Sequence, residues 1–268
     1  MPRKSNNKDG KIMKNKVNIL GIEFEDISRQ EVYDRIVYKI DKKEYTAIFT
    51  PNPEIALKAK KDEELSRIIN SADILLPDGI GIIIASRILK TPLKERITGI
   101  DTAEFILDLA NEKAMRVFLL GGNNGVAEKA VERLSSKYKN IKFCGYHHGY
   151  FLKDGEENEA VVKYINAAAP EILFVCFGCP AQEKWIAENA KKIPSLLISV
   201  GVGGSIDIWS GNIMRAPNII RRLYLEWAWR IILQPRRIKS LFNILAFMRK
   251  VIAQALSSQG VSEQKNSE

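Results

Sequence analysis

The stretch RVFLLGGNNGVAEKAVERL, residues 116–134, decides the fold of this chain. It opens with an apolar run of strand length, continues through a glycine-rich turn at 121–125, and ends in apolar residues at helical spacing. A strand that is apolar on both faces is typical of a parallel sheet covered by helices on both sides. The stretch therefore predicts one strand–turn–helix unit of such a sheet.

The glycine-rich turn has two interpretations. Gly121 and Gly122 let the backbone approach phosphate oxygens, and with Asn123 they are candidate contacts for a nucleotide at the following helix N-terminus. Glycine is also used in such turns for backbone geometry alone. The turn lacks the lysine of a P-loop, and its spacing is not that of the dinucleotide fingerprint. A Rossmann oxidoreductase is therefore disfavoured, since the ribose-binding acid of that fingerprint is missing as well.

Apolar runs and helical patterns alternate through the chain from residue 17 to residue 210. The further runs of strand length lie at 46–50, 73–76, 141–145, 171–178 and 195–201. This alternation predicts a Rossmann-like α/β domain, with a mostly parallel sheet and helices on both of its faces. Ligands of such domains bind beyond the carboxyl ends of the strands, so the residues that follow each run are the candidates for a site.

Polar side chains follow two of these runs. Thr50 and Asn52 lie at the end of the run at 46–50, and Asp78 comes after the run at 73–76. Local structure offers another explanation for two of them, because Asn52 can cap the next helix and Asp78 with the glycine after it is a favoured turn pair. Together the three residues put a hydroxyl, an amide and a carboxylate on one rim, where the carboxylate can act as general base toward a sugar hydroxyl.

Arg96 is a candidate of a different kind. It precedes an apparent helix start, at a loop edge where an arginine is usually solvated. In a phosphate site without a metal, the same guanidinium can neutralise a leaving diphosphate.

Other reactive residues argue against several chemistries. Cys176 and Cys179 have the spacing of a redox pair, but Cys176 belongs to a buried run and no second cysteine pair is present to hold zinc. His147 and His148 are adjacent and have no cluster of acids or further histidines nearby, which makes them a poor metal site. Without a Gly-x-Ser-x-Gly motif, a serine hydrolase is disfavoured. The 3 cysteines build no disulfide framework, which predicts a reducing compartment.

The formal charge of +9 is concentrated at the two ends of the chain. Residues 1–16 carry +5 and residues 211–250 carry +8, whereas the body at 17–210 carries −3. An acidic body disfavours a nucleic-acid partner, although a non-enzymatic nucleotide- or nucleic-acid-binding module is the alternative from another functional class. The leader 1–16 lacks the apolar region of a secretory signal, and no window reaches the roughly 18 apolar residues of a membrane span. The leader and the polar tail at 257–268 are predicted to be disordered.

Residues 211–256 form a basic amphipathic segment with two predicted helices. Aliphatic and aromatic residues are interleaved there with arginines, a composition that fits a helix lying in an anionic membrane interface. The alternative is a helix packed on the core with a solvated basic face. The segment is therefore predicted to be a helical appendage, and membrane association is its predicted role.

Several motifs, in this order, resemble the WecG/TagA/CpsF family of bacterial glycosyltransferases. They are TPNPEI (50–55), LLPDGIGI (75–82), ERITGID (95–101), FLLGG (118–122), GYF (149–151), FGCPAQEKW (177–185), VGGSIDIWSG (202–211) and RAPNIIRRLYLEWAWRIILQPRR (215–237). The resemblance covers Val17 to Arg237. Each motif is weak alone, but the ordered set is highly specific.

The resemblance implies an inverting, metal-independent enzyme without a cofactor that works at the inner face of the bacterial plasma membrane. Such an enzyme moves a sugar from a UDP-sugar to a polyprenyl-diphosphate-linked sugar. TagA-like members transfer N-acetylmannosamine to GlcNAc-diphospho-undecaprenol in teichoic acid synthesis. Other members use other UDP-sugars, so N-acetylmannosaminuronic acid, glucose and galactose are alternative donors. The family also implies that the protein is cytoplasmic and peripheral on the anionic leaflet, and that it can self-associate.

The resemblance also implies roles for individual residues. Asp78 resembles the general base that deprotonates the acceptor hydroxyl. Three polar residues resemble donor or acceptor contacts: Thr50, Asn52 and Gln182, the last of which is also a catalytic candidate. Four arginines resemble the groups that stabilise the diphosphate: Arg96, Arg215, Arg222 and Arg230.

Overall fold

A computed structural model describes residues 16–265 of the protein, without the side chains of residues 236, 237, 240 and 258–265. The chain begins there with an antiparallel hairpin of β1 (Lys16–Ile19) and β2 (Ile22–Glu25). The tight turn between the strands places Gly21 at φ +93°, a conformation that favours glycine. Apart from Lys16, which begins β1, the predicted disordered leader lies outside the described residues.

The centre of the fold is a parallel sheet of six strands. These are β3 (Thr46–Phe49), β4 (Ile74–Leu75), β5 (Arg116–Gly121), β6 (Lys142–His147), β7 (Ile172–Cys176) and β8 (Ile198–Gly201). Their order across the sheet is β4-β3-β8-β7-β5-β6, and every neighbouring pair is parallel. The predicted Rossmann-like architecture is confirmed.

Helices connect the strands and cover both faces of the sheet. They are α1 (Arg29–Asp41), α2 (Pro53–Ala59), α3 (Glu63–Asn70), α4 (Ile80–Ile88), α5 (Gly99–Glu112), α6 (Val126–Lys137), α7 (Gly155–Ala168), α8 (Ala181–Asn189), α9 (Ser205–Trp209), α10 (Asn218–Arg222), α11 (Glu226–Leu233) and α12 (Lys239–Lys265). Alternate residues of β5 show the two layers, because Phe118 and Leu120 belong to one apolar cluster and Val117 and Leu119 to the other. The apolar pattern of the strand is thus explained by burial on both faces.

The last helix, α12, returns to the body of the protein. Phe247 and Val251 are fully buried in the same apolar cluster as Leu57 and Ile83, which lie on α2 and α4. Gln254 accepts a hydrogen bond from the Leu20 N–H at 2.9 Å and so ties the helix to the hairpin. The predicted appendage at 211–256 is therefore helical, but its second half packs on the core, because the apolar residues at helical spacing cover a face of the body.

The end of α12 differs from the sequence prediction. The helix continues to Lys265, so residues 257–265 are helical where a disordered tail was predicted, and 266–268 lie outside the described residues. Propagating an established helix is far easier than starting one, and the Gln, Glu and Lys residues of this stretch are good helix formers. Across residues 16–265, no helix combines the length and the apolar character needed to cross a membrane.

The packing of α12 predicts a difference between two phenylalanines on the same helix. Phe247→Ala should lower the free energy of unfolding by about 3 kcal/mol or more, because it removes a fully buried ring and leaves a cavity. Phe242→Ala is the matched control, since its side chain is 67% exposed, and it should change stability by less than about 0.5 kcal/mol. Denaturant unfolding measures both. Equal effects would contradict the docking of α12 on the core.

Candidate functional site

The carboxyl ends of β4 and β3 bring the predicted site residues together. Asp78 follows β4 and Thr50 follows β3, and these two strands are neighbours in the sheet. The first turn of α5 closes the same rim. A Cβ on Gly99 would lie 2.6 Å from the Thr50 Oγ1 and 3.7 Å from the Asp78 Oδ2. Only a residue without a side chain allows this close approach, so Gly99 is required for the hydroxyl and the carboxylate to face the same space.

Asp78 is the most perturbed carboxylate of this rim. It is half-buried, and its Oδ2 accepts a hydrogen bond of 3.2 Å from the Gly99 N–H at the start of α5. Burial raises the pKa of Asp78 to about 6. The bond from Gly99 and the charges of Arg230 and Arg96 act in the opposite direction, whereas the Glu226 carboxylate adds to the increase. A carboxylate with this pKa is ionised at neutral pH and still basic enough to accept a proton.

Two predicted arginines converge on Asp78 from different parts of the chain. Arg96 comes from the loop before α5, and its guanidinium lies 5.0 Å from the centre of the Tyr224 ring. Arg230 comes from α11 and lines a small crevice beside Gly204 and Asp207. Both charges favour the ionised form of Asp78. Neither residue is near Asp78 in sequence, so this convergence is a product of the fold.

Arg215 has a different environment from the one the sequence implied. Its guanidinium donates to Glu104 at 2.6 Å and to Asp101, both on α5, and its Nε lies 3.8 Å from Glu226 on α11. Three carboxylates thus surround it. Burial opposes the charged form, but the charges and hydrogen bonds of Glu104 and Asp101 raise the pKa of Arg215 overall. Here Arg215 joins α11 to α5. Its predicted contact with a diphosphate stays a prediction, as does that of Arg222, which is exposed at the end of α10.

The side-chain amides of Asn52 and Gln182 accept hydrogen bonds from backbone N–H groups. Asn52 Oδ1 accepts from the N–H groups of Glu54 and Ile55, both at 3.0 Å, which is the helix cap that the sequence allowed. Gln182 is buried, and its Oε1 accepts from the N–H groups of Gly178 and Gly203 at 3.2 and 2.9 Å.

Gln182 therefore joins the loops that follow β7 and β8. Its Nε2 donates to Glu183 at 2.8 Å, so both ends of the amide are bonded to protein atoms. This geometry supports a role in shaping the rim, and direct contact of Gln182 with a substrate stays a prediction.

The glycine-rich turn lies further along the same edge of the sheet. Gly121 pairs with Cys176 in the sheet, and a Cβ there would lie 2.5 Å from the Cys176 carbonyl oxygen. Glycine is therefore needed for the geometry of the sheet edge. The turn also borders an open cavity of about 370 Å³ lined by Asn123, Asn124, His148 and Tyr150. Four strand spacings separate this edge from that of β4, or about 19 Å at about 4.8 Å per strand.

Comparison with known proteins identifies the family. Residues 17–260 match the family described as "Glycosyl transferase WecG/TagA/CpsF family". The chain belongs to this family. The resemblance expected from the ordered motifs is confirmed, and the enzyme is a glycosyltransferase.

Two relatives of this glycosyltransferase carry the same name, N-acetylglucosaminyldiphosphoundecaprenol N-acetyl-beta-D-mannosaminyltransferase. One, from Bacillus subtilis (strain 168), is 40% identical over 213 residues, which cover 80% of this chain and 81% of the relative. The other, from Staphylococcus aureus (strain NCTC 8325 / PS 47), is 37% identical over 238 residues, which cover 88% of this chain and 92% of the relative. The similarity thus extends over most of both chains.

Sequence reasoning missed several residues that lie beside the candidate site. Tyr150 and His148 line the cavity beside the glycine-rich turn, and burial together with the charges of His147 and Lys153 lowers the pKa of His148. Tyr150 belongs to the GYF motif and His148 to the histidine pair, but only the fold shows that both lie beside the glycine-rich turn. Glu226 is the one acid among the basic residues of 211–250, and nothing in the local sequence gives it a role. Within residues 16–265, no group of three or more His, Cys, Asp and Glu side chains is placed to hold a metal ion.

The raised pKa of Asp78 predicts a pH-dependent gain in stability for Asp78→Asn. The folded glycosyltransferase binds this proton more tightly than the unfolded chain, whose carboxyl has the ordinary value of 3.8, so the wild type loses stability as pH rises from about 4 to above 6. Asparagine does not ionise. The melting temperature of the Asp78→Asn variant should therefore exceed that of the wild type by about 6 °C or more at pH 7.5 and match it below about pH 4.

Thermal unfolding across this pH range measures the effect. The control is Asp34→Asn, on an exposed position of α1, where no such pH-dependent difference is expected. An Asp78→Asn variant that is less stable than the wild type at pH 7.5 would contradict the unfavourable burial of the charge.

Proposed function

We propose that this protein transfers N-acetylmannosamine from UDP-N-acetylmannosamine to GlcNAc-diphospho-undecaprenol. The observation that carries the proposal is the half-buried Asp78 carboxylate at the carboxyl edge of the sheet, which accepts a hydrogen bond from the Gly99 N–H and whose ionised form is favoured by the charges of Arg96 and Arg230. A base placed among cations suits a reaction in which a hydroxyl loses a proton and a diphosphate leaves. The names of relatives 37–40% identical to this chain support the choice of sugar and acceptor.

In the proposed reaction Asp78 accepts the proton of a hydroxyl on the acceptor sugar. The oxygen attacks the anomeric carbon of the donor, the bond from that carbon to the phosphate oxygen breaks, and UDP leaves with the electron pair. Arg96 and Arg230 offset the charge that develops on the diphosphate. Direct displacement inverts the anomeric centre. We infer that the arginines take the place of a metal ion in this step, so the reaction needs no divalent cation.

The donor has a proposed position along the same rim. The exposed ring of Tyr150 offers a stacking surface for a base, and the turn at Gly122 and Asn123 lies beside it. A nucleoside diphosphate that is bound there extends along the strand ends toward Asp78, which places its sugar at the base. The separation of about 19 Å between the ends of β4 and β5 requires an extended donor.

Release of UDP tests this function. Purified protein with UDP-N-acetylmannosamine and a lipid-linked GlcNAc acceptor should release UDP in the presence of EDTA. The same assay with UDP-N-acetylmannosaminuronic acid, UDP-glucose and UDP-galactose distinguishes the alternative donors. If no UDP is released with any of these donors, the proposal is wrong.

Asp78→Asn should reduce turnover by about a hundredfold or more, because the acceptor hydroxyl loses its base. Binding of UDP, measured by calorimetry, should stay within about twofold of the wild type, since Asp78 contacts the acceptor hydroxyl in this mechanism. Asp34→Asn serves again as the control with unchanged turnover. Unchanged turnover in Asp78→Asn would remove Asp78 as the base.

The C-terminal helices support a peripheral position on the inner face of the plasma membrane. Exposed apolar side chains include Leu223, which directly follows α10, Ile232 on α11 and Phe242 on α12. Basic residues such as Arg222 and Arg249 are interleaved with them. Each basic residue near an anionic surface contributes about 1 kcal/mol, so a few of them with modest apolar insertion give reversible attachment. We infer that this segment contacts the cytoplasmic leaflet, where a polyprenyl-linked acceptor is anchored.

Vesicle co-sedimentation tests the membrane contact on the full-length chain. The triple variant Leu223→Ser, Ile232→Ser, Phe242→Ser should lower the bound fraction on vesicles with anionic lipid by about tenfold, because each exposed side chain contributes its burial in the interface. Tyr38→Ser, at an exposed aromatic on α1, should leave binding unchanged. A triple variant that pellets like the wild type would place the membrane contact elsewhere.

A further inference from the structure

Glu226 is an unusual residue for its place in the chain. It is the one acid between residues 211 and 250, among nine basic residues, and it is only 8% exposed. Its Oε1 is buried and has no hydrogen-bond partner among the described residues. A buried carboxylate is costly unless it is paired, and most buried polar atoms in folded proteins do have a partner.

The atom opposite the Glu226 Oε1 also lacks a hydrogen-bond partner among the described residues. The Nε of Arg215 is buried without a hydrogen-bond partner in the described part of the chain, and it lies 3.8 Å from the Glu226 Oε1. That distance is within range for an ion pair but beyond the 2.7–3.2 Å of an N–H···O hydrogen bond. The other nitrogens of Arg215 are held by Asp101 and Glu104, so its guanidinium is fixed on α5 with the Nε directed at α11.

Both ends of this link lead to the Asp78 carboxylate. On one side, α5 begins with Gly99, whose N–H donates to Asp78, and Asp101 lies in the same first turn. On the other side, Arg230 lies one helical turn after Glu226 on α11, and its charge acts on Asp78. A shift of α11 relative to α5 would therefore move Arg230 relative to Asp78.

We propose that Glu226 is a positioning residue for the sugar transfer: through Arg215 it holds α11 against the first turn of α5 and so places Arg230 beside Asp78. The inference rests on the proposed function, in which Asp78 is the base. Glu226 acts through Arg215 and through its charge, and it touches no reacting atom in this mechanism.

Two substitutions distinguish the effect of the Glu226 charge from the effect of its side-chain length. Glu226→Gln keeps the shape and removes the charge, whereas Glu226→Asp keeps the charge and withdraws it by one methylene from Arg215. The matched control is Glu188→Gln on α8, where the side chain is exposed. All four proteins, including the wild type, are compared as full-length chains.

Kinetics give the first readout. Both Glu226 variants should lower kcat by about tenfold or more while the donor KM stays within about twofold, because a misplaced Arg230 weakens the transition state more than the ground state. The groups that act on Asp78 are the Gly99 N–H, Arg96, Arg230 and Glu226. Arg230 lowers the pKa of Asp78, so its displacement in Glu226→Asp should move the acidic limb of the pH–rate profile to higher pH. In Glu226→Gln the loss of the negative charge opposes that shift, so its acidic limb should lie below that of Glu226→Asp.

Amide hydrogen exchange gives a second readout that needs no turnover. The amides at 226–233 should exchange faster in both Glu226 variants than in the wild type and in Glu188→Gln, since the link to α5 is weakened. The inference would be overturned if kcat and the exchange of the α11 amides in both Glu226 variants matched those of the wild type.

If the wild type transfers no sugar, the proposed function fails and the docking of α11 is judged by exchange alone. Faster exchange in both variants then supports the link between Glu226 and Arg215, and unchanged exchange overturns it.

Discussion

The hydrogen bond from the Gly99 N–H to the Asp78 carboxylate joins the first turn of α5 to the end of β4, and the candidate site is arranged around it. The absence of a side chain at Gly99 lets Thr50 and Asp78 approach the same helix end. Burial then raises the pKa of Asp78, and the arginines at 96 and 230 limit that increase. A carboxylate that is neither fully solvated nor fully paired can serve as a base near neutral pH.

The uneven charge of the chain has a structural counterpart. Arg215, from the basic C-terminal segment, is bonded to Asp101 and Glu104 of the acidic body, so part of the positive charge is used to attach the segment. Arg230 belongs to the same segment, and its charge favours the ionised form of Asp78. The exposed apolar and basic side chains of α10 to α12 are left facing outward, which is the surface proposed for the membrane. In the proposed function, one segment thus connects the rim around Asp78 with the membrane that carries the lipid-linked acceptor.

Two motif residues, Gly121 and Gln182, have structural roles in the loops that border the candidate site. Gly121 is required by its close contact with Cys176, yet the turn it belongs to borders the cavity proposed for the nucleotide. Gln182 joins the loops after β7 and β8 through its bonds to Gly178 and Gly203. Both residues look like ligand contacts in the sequence because they lie at strand ends, where loops must be shaped before they can bind anything.

The sequence by itself determined the alternation of strands and helices, the parallel class of the sheet and the position of Asp78 at a strand end, because these depend on local periodicity and on turn residues. The family motifs were readable for the same reason. Tertiary structure alone decided the strand order, the return of α12 to the core, and the partners of Arg215 and Glu226. Those features depend on contacts between distant residues, such as Arg215 with Asp101, which are 114 positions apart. Whether an arginine meets a phosphate or a carboxylate is determined by which surfaces pack together, and no local pattern records that.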